Sequence, residues 1–360
     1  MRFLIATDKF KGSMSSIEIC NIFKTELSKI FNDSTIICIP MADGGEGSLE
    51  CYTYLSKAKI ITKEYIGPNF NKISASFAVN GNDAFIELAQ TSGLMLASKK
   101  KPTETTTYGV GEQIKDAINM GCKNIYIAIG GSATNDAGCG MAAALGVKFY
   151  DEGNKTFIPV GGTLHKIKKI DYVNNFSNIN FTILSDVKNV LYGKNGASYV
   201  YAKQKGANND EIKLLDENLK HFNKIVTQDK PDYHLKKGSG AAGGFGAGAM
   251  YFLNATLVSG AKVFANLTDL KRLIKTSDII ISGEGKVDLQ TKNGKLIDVI
   301  SKLTKNKKLV VFCGKNETIS SDFDIVEINK KNEPLNESIN NSKQNLINAI
   351  HNYFKKSTCN

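Results

Sequence analysis

The sequence predicts an α/β protein of two domains, one built on a parallel sheet from both chain ends and a second, mixed α/β domain inserted between them. Three observations carry that reading. Strand and helix patterns alternate from residue 3 to residue 55. An antiparallel hairpin signal interrupts them between residues 59 and 89, and a βαβ pattern from 278 to 312 resembles the opening one. The discontinuous domain is expected at 1–68 plus 270–360 and the insert at 69–269.

Residues 3–6, Phe-Leu-Ile-Ala, are apolar without alternation and end in Thr7-Asp8-Lys9-Phe10-Lys11-Gly12. That is the pattern of a strand buried on both faces. Ser15 and Glu18 form a capping box for a helix that places Ile19, Ile22, Phe23, Leu27, Ile30 and Phe31 on one face. A second strand at 35–39 runs into Pro40-Met41-Ala42-Asp43-Gly44-Gly45-Glu46-Gly47 and a helix to residue 55. Such alternation implies a parallel sheet whose ligand site lies beyond the carboxyl ends of its strands.

Segments 74–79 and 84–88 flank Asn80-Gly81, a type I′ hairpin signal. A helix with Val110, Ile114, Ala117 and Ile118 inward stops at Gly121, a C′ glycine. Residues 125–129 then form a β-branched strand that breaks into Gly130-Gly131-Ser132-Ala133-Thr134-Asn135-Asp136-Ala137-Gly138-Cys139-Gly140, with helix expected at 141–145. Strand, glycine-rich turn and helix start together make an expected anion site through backbone N–H groups. It is not a Walker A loop, because no Gly-x-x-x-x-Gly-Lys-Ser/Thr occurs in the chain.

A strand at 179–184 delivers Ser185-Asp186, and Asn209 opens an amphipathic helix with Ile212, Leu215, Leu219, Phe222 and Val226 on its apolar face. The densest glycine run, residues 238–248, contains Gly238-x-Gly240-x-x-Gly243, but no strand pattern precedes it, so the dinucleotide fingerprint lacks its context. It reads instead as a loop entering a helix at 247–253. A strand at 278–282 leads to a loop with Glu284, Lys286 and Asp288. Helix 296–303, strands 309–312 and 325–328 and a closing helix at 344–354 complete the chain.

With 360 residues, 42% hydrophobic and 22% charged, the chain is long enough for two cores. No apolar run approaches the ~20 residues of a membrane helix, so no membrane partner is expected and the cytosol is the expected location. Seven cysteines without a Cys-x-x-Cys pair read as buried thiols. Four histidines, none in metal-ligand spacing, argue against a zinc site or a Ser/His/Asp hydrolase. The net charge of +11 comes from dispersed lysines without an aromatic-interleaved block, so it favours anionic small molecules over nucleic acid.

Phosphoryl transfer needs cations on the phosphates, carboxylates for Mg²⁺, backbone donors and a group to orient the accepting hydroxyl. Loops with those groups follow five strands: Asp8 with Lys11, Asp43 with Glu46, Asn135 with Asp136, Asp186, and Glu284 with Lys286 and Asp288. At this point six blocks, in order, resemble the bacterial glycerate kinase family of type I. They are Asp8-x-Phe10-Lys11-Gly12-Ser13, the 40–47 loop, Gly130 to Asp136, Gln204-Lys-Gly-Ala207, Gly238 to Gly244, and Gly283-Glu-Gly-x-x-Asp288-x-Gln290-Thr291. Lys9 stands where that family usually has Ser, and the usual Pro after Asn189 and Gly-Pro before Gln204 are missing.

The resemblance implies an ATP- and Mg²⁺-dependent kinase that turns D-glycerate into 2-phosphoglycerate. Its discontinuous domain would be flavodoxin-like and its active site would lie in a cleft between two domains. Beyond what the resemblance implies, the residue types themselves make Asp186 the candidate general base, with Asp43 its competitor, and Lys11 and Lys286 sources of positive charge. Asp8, Gly44, Gly45, Glu46, Gly130, Gly131, Ser132, Asn135, Asp136, Gly240 and Gly243 are expected to bind phosphate or glycerate, and Glu284 and Asp288 the metal. Three other readings stay open: the same fold acting on another small hydroxy or sugar acid, a nicotinamide oxidoreductase, and a basic nucleic-acid-binding protein. The oligomeric state is not specified by the sequence.

Overall fold

The computed structural model describes residues 1–172, 176–288, 296–304, 307–318, 323–330 and 333–356. It divides into two compact units, Met1–Asp43 with Glu50–Leu55 and Ser259–Asn360, and Gly44–Leu49 with Ser56–Val258.

The first unit carries five strands, all parallel, in the spatial order Asp324–Glu327, Lys308–Asn316, Ile279–Val287, Arg2–Thr7, Thr35–Pro40. Numbered along the chain within this unit the order is 2-1-3-4-5, a doubly wound arrangement. Thr7 pairs with Gly283 on one side and Pro40 on the other, so three strands reach one level together. Whatever follows them emerges at the same end of the sheet.

Apolar residues in Arg2–Thr7 are fully buried because helices cover both faces. Helix Ser16–Ile30 starts at the expected capping box, with Glu18 N–H donating to Ser15 Oγ (3.2 Å) and Ser15 N–H to Glu18 Oε2 (2.7 Å). It buries Ile19, Phe23 and Leu27. Closing helix Ser342–Lys356 adds Leu346, Ile350 and Phe354, whose ring meets Phe3 edge-on at 5.8 Å, while Phe23 meets Phe312 at 5.0 Å. Each fully buried Phe, Leu or Ile in this cluster contributes about 1.5–3 kcal/mol.

Strand Ile279–Val287 runs farther than the sequence suggests. Glu284, Lys286 and Val287 stay in register with Cys313, Lys315 and Asn316, so Glu284 and Lys286 project from a strand and not from a loop. Gly283 and Gly285 read as breakers, yet they are needed because Phe10 and the Lys11 backbone pass close by. Residues 289–295, including Gln290 and Thr291 of the last sequence block, lie outside the described residues.

The second unit has a six-stranded sheet in the order Thr256–Val258, Asn180–Leu184, Asn124–Ala128, Asp83–Glu87, Lys72–Asn80, Lys59–Ile66. The first four are parallel and the last two antiparallel. Asn124–Ala128 has parallel partners on both sides, as its uninterrupted β-branched run requires. Lys59–Ile66, which the sequence reading places before a boundary at residue 68, hydrogen-bonds along Lys72–Asn80 and belongs to this unit. Likewise Ser259 to Asp269 pack with the first unit.

The hairpin is present, but its turn is displaced by one residue. Asn80 pairs with Asp83, so Gly81 and Asn82 are central, and only Gly81 has positive φ (58°). Those signs fit type II′, since type I′ needs positive φ at both positions. Helix Tyr108–Asn119 ends as expected, with Gly121 N–H on Ile118 O (2.9 Å) and Cys122 N–H on Ala117 O (3.1 Å), a Schellman motif.

Helix Asn209–Val226 opens at Asn209 as expected, capped by Asn208, with Glu211 completing a capping box. The helix expected at 247–253 spans Ala241–Leu253 with left-handed residues Ala242, Gly243 and Gly244 breaking its first turn. A small antiparallel sheet of Lys148–Tyr150, Thr156–Phe157 and Lys169–Asp171 was not foreseen, because strands of two or three residues show no periodicity. Among the described residues no helix is long and apolar enough to cross a membrane.

Candidate active site

In the first unit the carboxylates expected to act follow or end adjacent strands. Asp8 comes directly after Arg2–Thr7, Asp43 three residues after Thr35–Pro40, and Glu284 lies in Ile279–Val287. All three are part-buried. Burial, then the negative charge of Asp43 and more weakly that of Glu284, push the Asp8 carboxyl up to about 7, against Lys9, whose charge and N–H (2.7 Å from Asp8 Oδ1) favour the anion. This is a group of carboxylates kept together at an energetic cost.

That cost has a sign that can be checked. A carboxyl with a folded-state pKa near 7 and an unfolded value near 4 contributes fully to stability at low pH and progressively less as pH rises through 7. Asp8→Asn is therefore expected to raise Tm by about 2–4 °C at pH 8 and to leave it unchanged near pH 4. Thermal melts at both pH values check it, and an equal shift at both would mean that charge repulsion is not the cause.

The other first-unit candidates are differently placed. Lys11 is exposed, and its backbone passes within 3.2 Å of the position a Cβ on Gly285 would take. Lys286 is exposed and ion-paired to Glu317 (2.8 Å) and, more distantly, to Asp288 (3.9 Å), so its charge is already partnered within the unit. Asp288 sits beside that pair. Among the described residues no group of three His, Cys, Asp or Glu is placed to hold a metal by itself.

In the second unit two glycine loops and a strand end interlock. Gly130 N–H donates to Gly44 O (2.9 Å), and a Cβ on Gly130 would lie 2.5 Å from Gly45 Cα. A Cβ on Gly131 would lie 2.7 Å from Glu46 Oε1, and one on Gly44 2.8 Å from the carbonyl of Leu184, two residues before part-buried Asp186. Gly44, Gly45, Glu46, Gly130, Gly131 and Asp186 are thus brought together. Gly240 and Gly243 serve packing instead: side chains there would collide with the carbonyls of Val190 and Thr134.

Asp136 corrects the expected anion site. Its Oδ2 accepts from Thr107 N–H (2.8 Å), Thr107 Oγ1 (2.8 Å) and Gly140 N–H (3.2 Å), and its Oδ1 from Gly138 N–H (3.2 Å). Met141 N–H is taken by Thr107 Oγ1 (3.0 Å). Helix Cys139–Ala144 is only six residues long, and its first three N–H groups are taken by the Asp136 carbonyl, the Asp136 carboxylate and Thr107 Oγ1. Asp136, fully buried, is an internal cap and not a ligand contact.

Ser132 is held by a residue to which the sequence reading gives no role, and Asn135 is the next residue after that contact. Lys205, only 3% exposed, donates from Nζ to Thr134 O (2.7 Å) and Ser132 Oγ (3.1 Å). Burial pulls its ammonium down to about 7, opposed by the nearby negative charge of Asp136. Asn135 is fully buried, with Nδ2 on Ser198 Oγ (3.2 Å) and Oδ1 without a partner. The available signal was the block Gln204-Lys-Gly-Ala207, a lysine next to a glycine.

Carboxylates at parallel strand ends in one unit, and glycine loops around a buried lysine in the other, are the equipment of a phosphate-transferring enzyme, a small-molecule kinase. The chain belongs to the glycerate kinase family, whose family model matches residues 3–357. It is 39% identical over 303 residues to a glycerate kinase of Bacillus cereus, covering 82% of this chain and 80% of that one. It is 37% identical over 320 residues to the glycerate 2-kinase of Escherichia coli K12, covering 86% and 84%. The crystal structure of a glycerate kinase 2 candidate from Salmonella typhimurium LT2 superposes with a TM-score of 0.84 at 31% identity, covering 100% of this chain and 98% of the other.

Proposed function

We propose that this kinase transfers the γ-phosphoryl group of ATP to D-glycerate, giving 2-phosphoglycerate, with Mg²⁺ assisting. The observation that carries the reading is the Asp8, Asp43 and Glu284 set on three neighbouring strands in a chain of this family. The 2-position rests on the name of the Escherichia coli relative. The 2-1-3-4-5 order of the first unit supports a flavodoxin-like assignment for it.

The residues fit Mg²⁺ by donor chemistry. Asp8, Asp43 and Glu284 offer hard oxygen ligands whose repulsion holds Asp8 protonated near neutrality, and a dication relieves that repulsion. Mg²⁺ is usually held by one or two carboxylates plus phosphate oxygens and water, so it does not require a complete protein cage. Asp8 and Glu284 would hold it, and Asp288, beside the Lys286 ammonium, is the weaker candidate. When bound, the ion neutralises charge on the phosphates.

Asp186 is assigned to accept the proton of the attacking hydroxyl, with Asp43 as the competing base. Ser132 and Asn135 are assigned to the acceptor acid. Lys11, exposed, is assigned to ground-state attraction of phosphate or carboxylate. Lys11→Ala is then expected to raise KM about tenfold with kcat nearly unchanged, measured by steady-state kinetics in both substrates. A fall in kcat with constant KM would instead put Lys11 on the transition state.

The test of the function is direct. Purified protein is incubated with ATP, Mg²⁺ and D-glycerate, ADP release is coupled to an optical readout, and the product is offered to enolase. Glycerate-dependent ADP with immediate enolase turnover is expected. ADP release only with other hydroxy or sugar acids would overturn the acceptor assignment.

A further inference from the structure

Lys205 is buried without a carboxylate in ion-pairing range among the described residues, and its Nζ contacts are a hydroxyl and a carbonyl. A lysine in such a place is costly unless something compensates its charge. The charged group facing it from the packed surroundings is Asp136, and that carboxylate is already held by four donors, two from Thr107 and two from its own loop. Next to the carbonyl that Lys205 holds stands Asn135, whose fully buried amide has one unsatisfied end. A buried unpartnered amide end calls for a ligand group. A cation lacking an anion, beside an acceptor lacking a hydroxyl, matches a hydroxy acid.

We propose that Lys205 is a positioning residue for the acceptor: it sets the 132–135 loop and takes up a proton as the acid's carboxylate docks there, while the unpartnered end of the Asn135 amide takes the acid's hydroxyl. The proton comes from solvent, converting the ε-amine to an ammonium whose charge the incoming carboxylate balances. Binding of the acid is therefore pH-linked through a group that does not touch the transferred phosphate. The proposal rests on the functional reading above and deepens it.

The consequences are quantitative. Since burial leaves Lys205 with a pKa of about 7, KM for D-glycerate is expected to rise about tenfold per pH unit above pH 7, with kcat much less affected. Calorimetric titration at pH 8.5 in two buffers of different ionisation enthalpy should show uptake of roughly one proton per glycerate bound. Lys205→Met should abolish both effects and raise KM at pH 7. Lys205→Arg, which keeps a permanent charge and the donors, should bind glycerate without proton uptake and with a flat pH profile.

Glycerate and a non-hydrolysable ATP analogue are titrated separately and together. Uptake with glycerate that disappears in the Lys205 variants supports the proposal. Uptake that follows the nucleotide alone, or glycerate binding in wild type without Lys205-dependent uptake, overturns it and leaves the kinase reading standing. Binding of neither ligand overturns the functional reading, and this proposal with it. If Lys205→Met does not fold, the wild-type slope and the Arg variant decide the matter.

Discussion

Asp186→Asn is expected to lower kcat by about two to four orders of magnitude with little change in Tm, the size of a lost general base. Asp186 sits at the carboxyl end of Asn180–Leu184, part-buried, where strand pairing with Thr256–Val258 and the Ser185 N–H on Val258 O (3.0 Å) fix the backbone just before it. The two glycine loops close around Leu184, two residues earlier. A rigid approach of this kind is what a base needs to meet a hydroxyl at hydrogen-bond distance. The amide of Asn keeps the shape and loses the basicity, so single-turnover rates should fall as kcat does. If Asp186→Asn turns over nearly normally while Asp43→Asn collapses, the base is Asp43.

The architecture was legible because burial writes itself into periodicity. Unalternating runs at 3–6, 125–129 and 279–281 became strands with parallel partners on both sides. Capping chemistry at Ser15 and Gly121 placed helix ends to the residue. Glycine was the least legible residue. Gly283 and Gly285 looked like the end of a strand and instead permit it to pass Phe10, and Gly243 looked like part of a nucleotide loop and instead lets a helix start lie on Thr134. Composition cannot say whether a glycine makes room for a ligand or for the protein's own backbone.

The site was legible by residue type and less so by role. Asp8 and Asp43 do follow adjoining strand ends, and the register sets Glu284, inside the third strand, one residue past the Thr7–Gly283 pair. Lys286 reads as a cation for substrate, but strand pairing carries it to Glu317, thirty-one residues later in sequence. Lys205 was quoted in a motif without a role because its burial depends on the 132–134 loop, more than seventy residues away. Long-range pairing decides which charge is exposed to substrate and which is spent within the fold.

Asp136→Ala separates these two uses of a carboxylate most sharply. The substitution leaves Thr107 N–H, Thr107 Oγ1, Gly138 N–H and Gly140 N–H buried without their acceptor. Each orphaned buried donor costs roughly 1–3 kcal/mol, and because neighbouring losses are not additive the total is expected at about 3–5 kcal/mol. That is a large share of the ~5–15 kcal/mol that holds a protein folded. Asp136→Asn keeps an oxygen for the three Oδ2 donors and sets its NH₂ against Gly138 N–H, so a smaller loss of about 1–3 kcal/mol is expected. Urea unfolding of both variants should rank Ala below Asn below wild type, with kcat of Asp136→Asn close to normal wherever the protein remains folded. A stable Asp136→Ala protein with kcat reduced a thousandfold would return Asp136 to the substrate. The burial of every one of its partners argues for the first outcome, in which a motif's acidic residue works by closing the loop that presents Ser132 and Asn135.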